Sequence, residues 1–154
     1  MDSHIEIMTK KILKIGNWIN GEEVISSKDD GIEKYNPHSG KLQSIFCNST
    51  EEDVNNAVIS AEDSFISWSS LNPVKRGQIL SSIVAQMKKN ISKLTECVAL
   101  ETGKSLADSH GEVQGAILQG EYFAGEGMRL YGQSLNSGMD GKMSHTVREA
   151  HGVA

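Results

Sequence analysis

Aromatic side chains are scarce in this sequence, with three Phe, three Tyr and two Trp making up 5% of 154 residues. So few large groups can fill only a small core. Cysteine is equally sparse. Cys47 and Cys97 have no short spacing between them, which argues against a disulfide framework, and their apolar surroundings predict reduced, buried thiols. Basic residues never cluster beyond Lys10-Lys11 and Lys88-Lys89, and fifteen of them against twenty acidic residues leave a formal charge of -5. Nucleic acid is therefore not an expected partner. Nor is there an apolar run long enough for a signal peptide or a membrane span, since MDSHIEIMTKKILK carries Asp2 and Glu6. No membrane partner is expected, and the expected location is the cytoplasm.

What is present fits one domain or part of one. Residues 1–13 lack periodicity and contain a second methionine, Met8, so a flexible leader is expected there. Residues 14–48 read as two hairpins. In KIGNWINGEEV, Asn20-Gly21 stands between two short stretches of strand formers, a strong turn signal. IEKY and LQSIFC follow, separated by NPHSG, where Pro37 pre-sets a turn and Gly40 releases it.

At Ser49-Thr50 the apolar period lengthens, and residues 49–132 read as helical. Thr50 is a suitable N-cap, with Glu51, Glu52 and Asp53 in the first turn where the helix dipole favours carboxylates. Val54, Ala57, Val58, Ala61, Phe65 and Trp68 then share one face. A second helix follows Asn72 as cap and Pro73 at the first helical position, with Ile79, Leu80, Ile83, Val84 and Met87 inward and an end near Asn90. Ile91, Leu94, Cys97 and Val98 make a third stripe that Gly103 can terminate. From about Ser105 to Tyr131 a long helix is expected, its face lined by Val113, Ala116, Ile117, Gly120, Ala124 and Gly127. Its five glycines each cost up to about 1 kcal/mol against alanine, so it needs close tertiary contact. SLNSGMDGKM reads as a turn-rich loop, and MSHTVREAHGVA as a strand. Alone, the chain is expected to be α+β: N-terminal β-hairpins, a helical segment and a C-terminal strand.

No group of residues announces chemistry. LETGKS has Val98 where a phosphate loop needs its first glycine, so Gly103 reads as a helix C-cap with Lys104 near the carbonyl end. GEGMRL has Leu130 in place of the third glycine of a dinucleotide turn and follows a helix rather than a strand. His4, His38, His110, His145 and His151 are scattered, none at a metal-ligand spacing. Cys97 has no neighbouring cation in sequence to activate it, and Glu101, Glu112, Glu121 and Glu126 form no close carboxylate pair. No catalytic, cofactor-binding or metal residue is expected.

In order and spacing, several segments resemble the N-terminal part of the NAD(P)-dependent aldehyde dehydrogenase superfamily. They are WING at Trp18–Gly21, YNPHSG at Tyr35–Gly40, the Ala57, Ala61, Phe65, Trp68 helix, Arg76 with Ile79-Leu80, LETGK at Leu100–Lys104, YFAG at Tyr122–Gly125 and REAHGV at Arg148–Val153. The resemblance implies an α/β parent with a Rossmann-like core, of which residues 14–154 are an incomplete N-terminal part and 139–154 the start of an oligomerisation strand. It implies a parent, using NAD or NADP, in which a cysteine thiolate attacks the aldehyde, hydride passes to nicotinamide and a glutamate activates water. Neither Cys47 nor Cys97 matches that cysteine, so this chain alone is expected to be inactive and to bind no cofactor. The implied partners are the remainder of the enzyme or homologous subunits, in a homo-oligomer. A non-catalytic helical interaction module derived from the family is the alternative. Two further details bear on the resemblance: Ala150 replaces the family's usual proline, and YFAGE suits the semialdehyde and broad-specificity branches.

Overall fold

The computed structural model describes residues 12–26 and 30–154, so most of the expected leader lies outside the described residues. The chain divides into two compact units. One holds the described residues up to Ser60 together with Leu100–Gly103, and the other holds Ala61–Ala99 and Lys104–Ala154.

In the first unit, strands β1 (Leu13–Ile15), β2 (Asn17–Ile19), β3 (Glu22–Val24), β4 (Ile32–Tyr35) and β5 (Leu42–Phe46) precede helix α1 (Glu51–Ser70). Both expected hairpins form. β2 pairs antiparallel with β3, and the two-residue turn between them has Asn20 at φ 52° and Gly21 at φ 80°, the left-handed pair that an Asn-Gly turn supplies at least strain. β4 pairs antiparallel with β5 through an irregularity at Lys34/Tyr35. β1 is a correction to the leader boundary: Leu13 already belongs to a strand, which runs parallel to β5 with Leu13 opposite Ser44 and Ile15 opposite Phe46. Hydrophobic pattern shows no partner so far along the chain.

Helix α1 starts where Thr50 predicts. The Asp53 backbone N–H donates to Thr50 Oγ1 at 3.2 Å, while Asp53 Oδ2 accepts from the Thr50 backbone N–H at 2.7 Å and from its hydroxyl at 2.8 Å. This is a capping box with Asp in the place usually held by Glu. Ser26, itself buried, donates its hydroxyl to the same Asp53 oxygen at 2.6 Å, fixing the tail of β3 to the helix start. The expected apolar face of α1 is not covered, for the helix has no buried residue and Val54, Val58 and Trp68 are exposed.

The second unit is built on α2 (Pro73–Lys89), α3 (Ile91–Thr102) and α4 (Leu106–Ala124), a 3-10 turn (Gly125–Met128), and strands β6 (Ser134–Asn136) and β7 (Met143–His145). Asn72 Oδ1 caps α2 by accepting from the Val74 N–H at 2.8 Å, with Pro73 opening the helix and Asn90 closing it. The guanidinium of Arg76 donates to the carbonyls of Ser69 and Leu71, holding the corner before α2. Val84, Val113 and Ile117 form the core, with Leu80, Met87, Ile91, Leu94 and Val98 packed on it.

Four expectations are corrected here. Ile79 and Ile83 are exposed, because α2 faces α4 through Gly77, Leu80, Val84 and Met87, a stripe turned away from them. Cys97 is exposed too, and Cys47 only half-buried; the covered face of α3 follows Ile91, Leu94, Thr95 and Val98, a helical spacing that leaves position 97 outside. The long last helix stops at Ala124, where Gly125 and Gly127 give way to a 3-10 turn, and its smooth face is used only in part. Gly120 meets the Val84 side chain, whereas Gly111 and Gly115 face open space. Finally, the segment read as a loop contains β6, which pairs with β7 as a hairpin, Ser134 opposite His145. The expected terminal strand therefore ends at His145, and residues 147–154 pair with no strand among the described residues.

Candidate functional site

The two segments that carry most of the family resemblance in the first unit meet in space. After β4 the chain turns at Asn36, whose Oδ1 accepts from the backbone N–H groups of His38 at 3.0 Å and Ser39 at 2.9 Å, an Asx turn that leads into Gly40 at φ 66°. The other end of the same side chain, Nδ2, donates to the Leu100 carbonyl at 3.2 Å. One turn further on, Gly103 ends α3 at φ 73°, and a Cβ there would touch Pro37. Glu101 completes the joint by pairing with the Lys34 ammonium and accepting from Gln43 Nε2 at 3.0 Å. In sequence, Gly103 is already expected to end the third helix, while Asn36 and Glu101 are placed together by nothing but the family segments YNPHSG and LETGK. The turn itself is expected from Pro37 and Gly40, whereas the Asx contacts of Asn36 and the tether across 67 positions from Lys34 to Glu101 are not.

This joint positions backbone and is not equipped to react. Lys34 and Glu101 side chains keep 31% and 42% of their surface in water, so their pair contributes only about 0.2–1 kcal/mol. Gln43 Oε1 is buried without a partner, which gives the network a direction that can be reversed. Lys34→Glu or Glu101→Lys alone is expected to lower the urea midpoint. The double reversal should recover most of the loss, because the Gln43 amide can turn to present Oε1 to the new lysine. A double variant no better than the worse single one would refute the joint.

Several other titratable groups are committed to structure. Glu112 pairs with Lys104, Glu121 with Lys88 and Glu126 with Arg129; with Glu101, all four glutamates weighed as acids or bases have a cation partner. The Arg129 guanidinium, already a strong base, is raised further by Glu126 and also lies over the Tyr122 ring at 5.6 Å. A hydrogen bond to Glu33 raises the Tyr35 phenol. Cys97 is exposed, and Cys47 Sγ lies 3.7 Å from Ser49 Oγ. His110 Nδ1 is 3.4 Å from the buried Thr95 hydroxyl. Among the described residues no three His, Cys, Asp or Glu side chains group to hold a metal ion.

Asp53 gives a pH dependence with a definite sign. The hydrogen bond from Ser26, then those from Thr50, hold its carboxyl below the ordinary 3.8. Its stabilising effect is therefore whole above pH 3.8 and is lost as the pH falls through the lower folded value. Asp53→Asn is expected to destabilise the β3 tail at neutral pH and to flatten the acid limb of the stability curve. Parallel acid limbs in the two proteins, followed by urea unfolding at each pH, would count against this.

A nicotinamide dinucleotide needs a strand, a glycine turn and a helix N-terminus with free N–H groups for its pyrophosphate. The one strand-to-helix passage among the described residues, β5 to α1, contains no glycine, and the Asp53 carboxylate already occupies that helix start. The residues present do not fit the dinucleotide. LETGKS is a helix end, with Lys104 held by Glu112. The second unit adds a cleft of about 260 Å³ lined mainly by apolar side chains such as Trp68, Ile79, Ile83, Phe123 and Leu130, and its two charged lining residues are engaged elsewhere, Arg76 with the Ser69 and Leu71 carbonyls and Glu126 with Arg129.

What the geometry leaves open, comparison with other proteins decides. Residues 24–154 match the model of the aldehyde dehydrogenase family. The chain belongs to that family. It is 34% identical over 138 residues to the alpha-ketoglutaric semialdehyde dehydrogenase of Bacillus subtilis, covering 89% of this chain and 28% of that protein. It is 31% identical to the D-glyceraldehyde dehydrogenase (NADP(+)) of Thermoplasma acidophilum, covering 90% of this chain and 26% of the relative. Among solved structures it superposes on the betaine aldehyde dehydrogenase of Staphylococcus aureus in complex with NAD+ with a TM-score of 0.80 at 27% identity, over 89% of this chain and 28% of that one. The aldehyde dehydrogenase chain thus spans little more than a quarter of the length of these relatives, and its α+β arrangement is that of the matched portion.

Proposed function

We propose that the chain is the N-terminal part of an NAD(P)-dependent aldehyde dehydrogenase that oxidises a small, carboxylate-bearing aldehyde to the acid, and that it is inactive by itself. The family match over residues 24–154 carries this reading. Relatives named for alpha-ketoglutaric and malonate semialdehydes support the substrate class, and one relative named for NADP(+) and a solved one holding NAD+ support the cofactor. The residues themselves support inactivity, since among the described residues no activated nucleophile or dinucleotide turn is assembled. The partner is the remainder of the enzyme or a homologous subunit within a homo-oligomer. The net charge of -5 speaks against nucleic acid, and among the described residues no helix is long and apolar enough to cross a membrane. We place the protein in the cytoplasm.

The test uses two proteins. Residues 1–154, mixed with malonate semialdehyde and NAD+ or NADP+, should form no reduced nicotinamide. The same residues fused in frame to the unmatched remainder of the Bacillus subtilis relative should form it. Turnover by the short chain would overturn its inactivity, and a monodisperse, cooperatively folded fusion without turnover would overturn the parent activity.

A further inference from the structure

We draw no further inference here: the strongest candidate, the apolar cleft of the helical unit lined by Trp68, Ile79, Ile83, Phe123 and Leu130, is an unpartnered surface, and nothing in the structure shows what covers it.

Discussion

Purified alone, residues 1–154 are expected to self-associate and to bind an apolar dye rather than remain a monodisperse monomer. Among the described residues, the buried aliphatic side chains are Val84, Val113 and Ile117. Meanwhile Ile66, Trp68, Leu118, Phe123 and Met128 stand exposed on helices, and Leu135 and Met143 on a two-stranded hairpin with open edges. Apolar side chains exposed in this number favour association, and unpaired strand edges give it a template. Analytical ultracentrifugation with dye fluorescence decides the matter. A monomer at tens of micromolar that melts sharply without binding dye would show that the small core suffices, and would favour a self-sufficient interaction module over a part of an enzyme.

The second large effect is expected at Gly77. This buried residue lets α2 approach the end of α4 so closely that a Cβ would run into the Ala124 carbonyl oxygen. The obstacle is backbone, which cannot rotate aside as a side chain can. Gly77→Val should therefore separate α2 from α4 and take Val84 out of the core, a loss of about 3 kcal/mol or more. In so thinly packed a unit, that amounts to unfolding it. Gly111→Ala is the matched control, because its Cβ would face open space and relieve the helix of a flexible residue, with a gain of up to about 1 kcal/mol. The helical circular dichroism signal in urea should shift in opposite directions for the two variants. A Gly77→Val protein that unfolds with the wild type would mean that the helices do not meet there.

Local signals were legible wherever one short stretch determined the outcome. Asn20-Gly21 specified its turn because only that pair takes two positive φ angles easily, and Thr50, Asn72 and Ser105 specified helix starts because each side chain satisfies a backbone N–H of its own first turn. Periodicity was less informative. It identified an apolar stripe on each helix but not which edge of the stripe meets a neighbour, so Ile79, Ile83 and Cys97 were placed inside although they face water. Pairings distant in sequence were invisible, as with β1 beside β5 and Glu101 with Lys34 and Gln43, whereas the nearby β6 is hidden because the turn residues of SLNSGMDGKM read as loop. As for the site, the joint of Asn36, Glu101 and Gly103 emerged only in three dimensions, because its contacts link positions some sixty residues apart.

That joint makes the β unit discontinuous, completed by Leu100–Gly103, and this bears on the order of events at the ribosome. Translation proceeds at about 5–20 residues per second, so the four closing residues emerge roughly 2–8 s after Ser60. Throughout that interval the hairpins exist without the carbonyl that Asn36 binds or the carboxylate that Lys34 and Gln43 share. A nascent chain stalled before residue 100 should therefore leave Asn36–Lys41 open to protease, and one stalled well beyond residue 103 should not. The first unit is thus completed only after residues 61–99 of the second have been made.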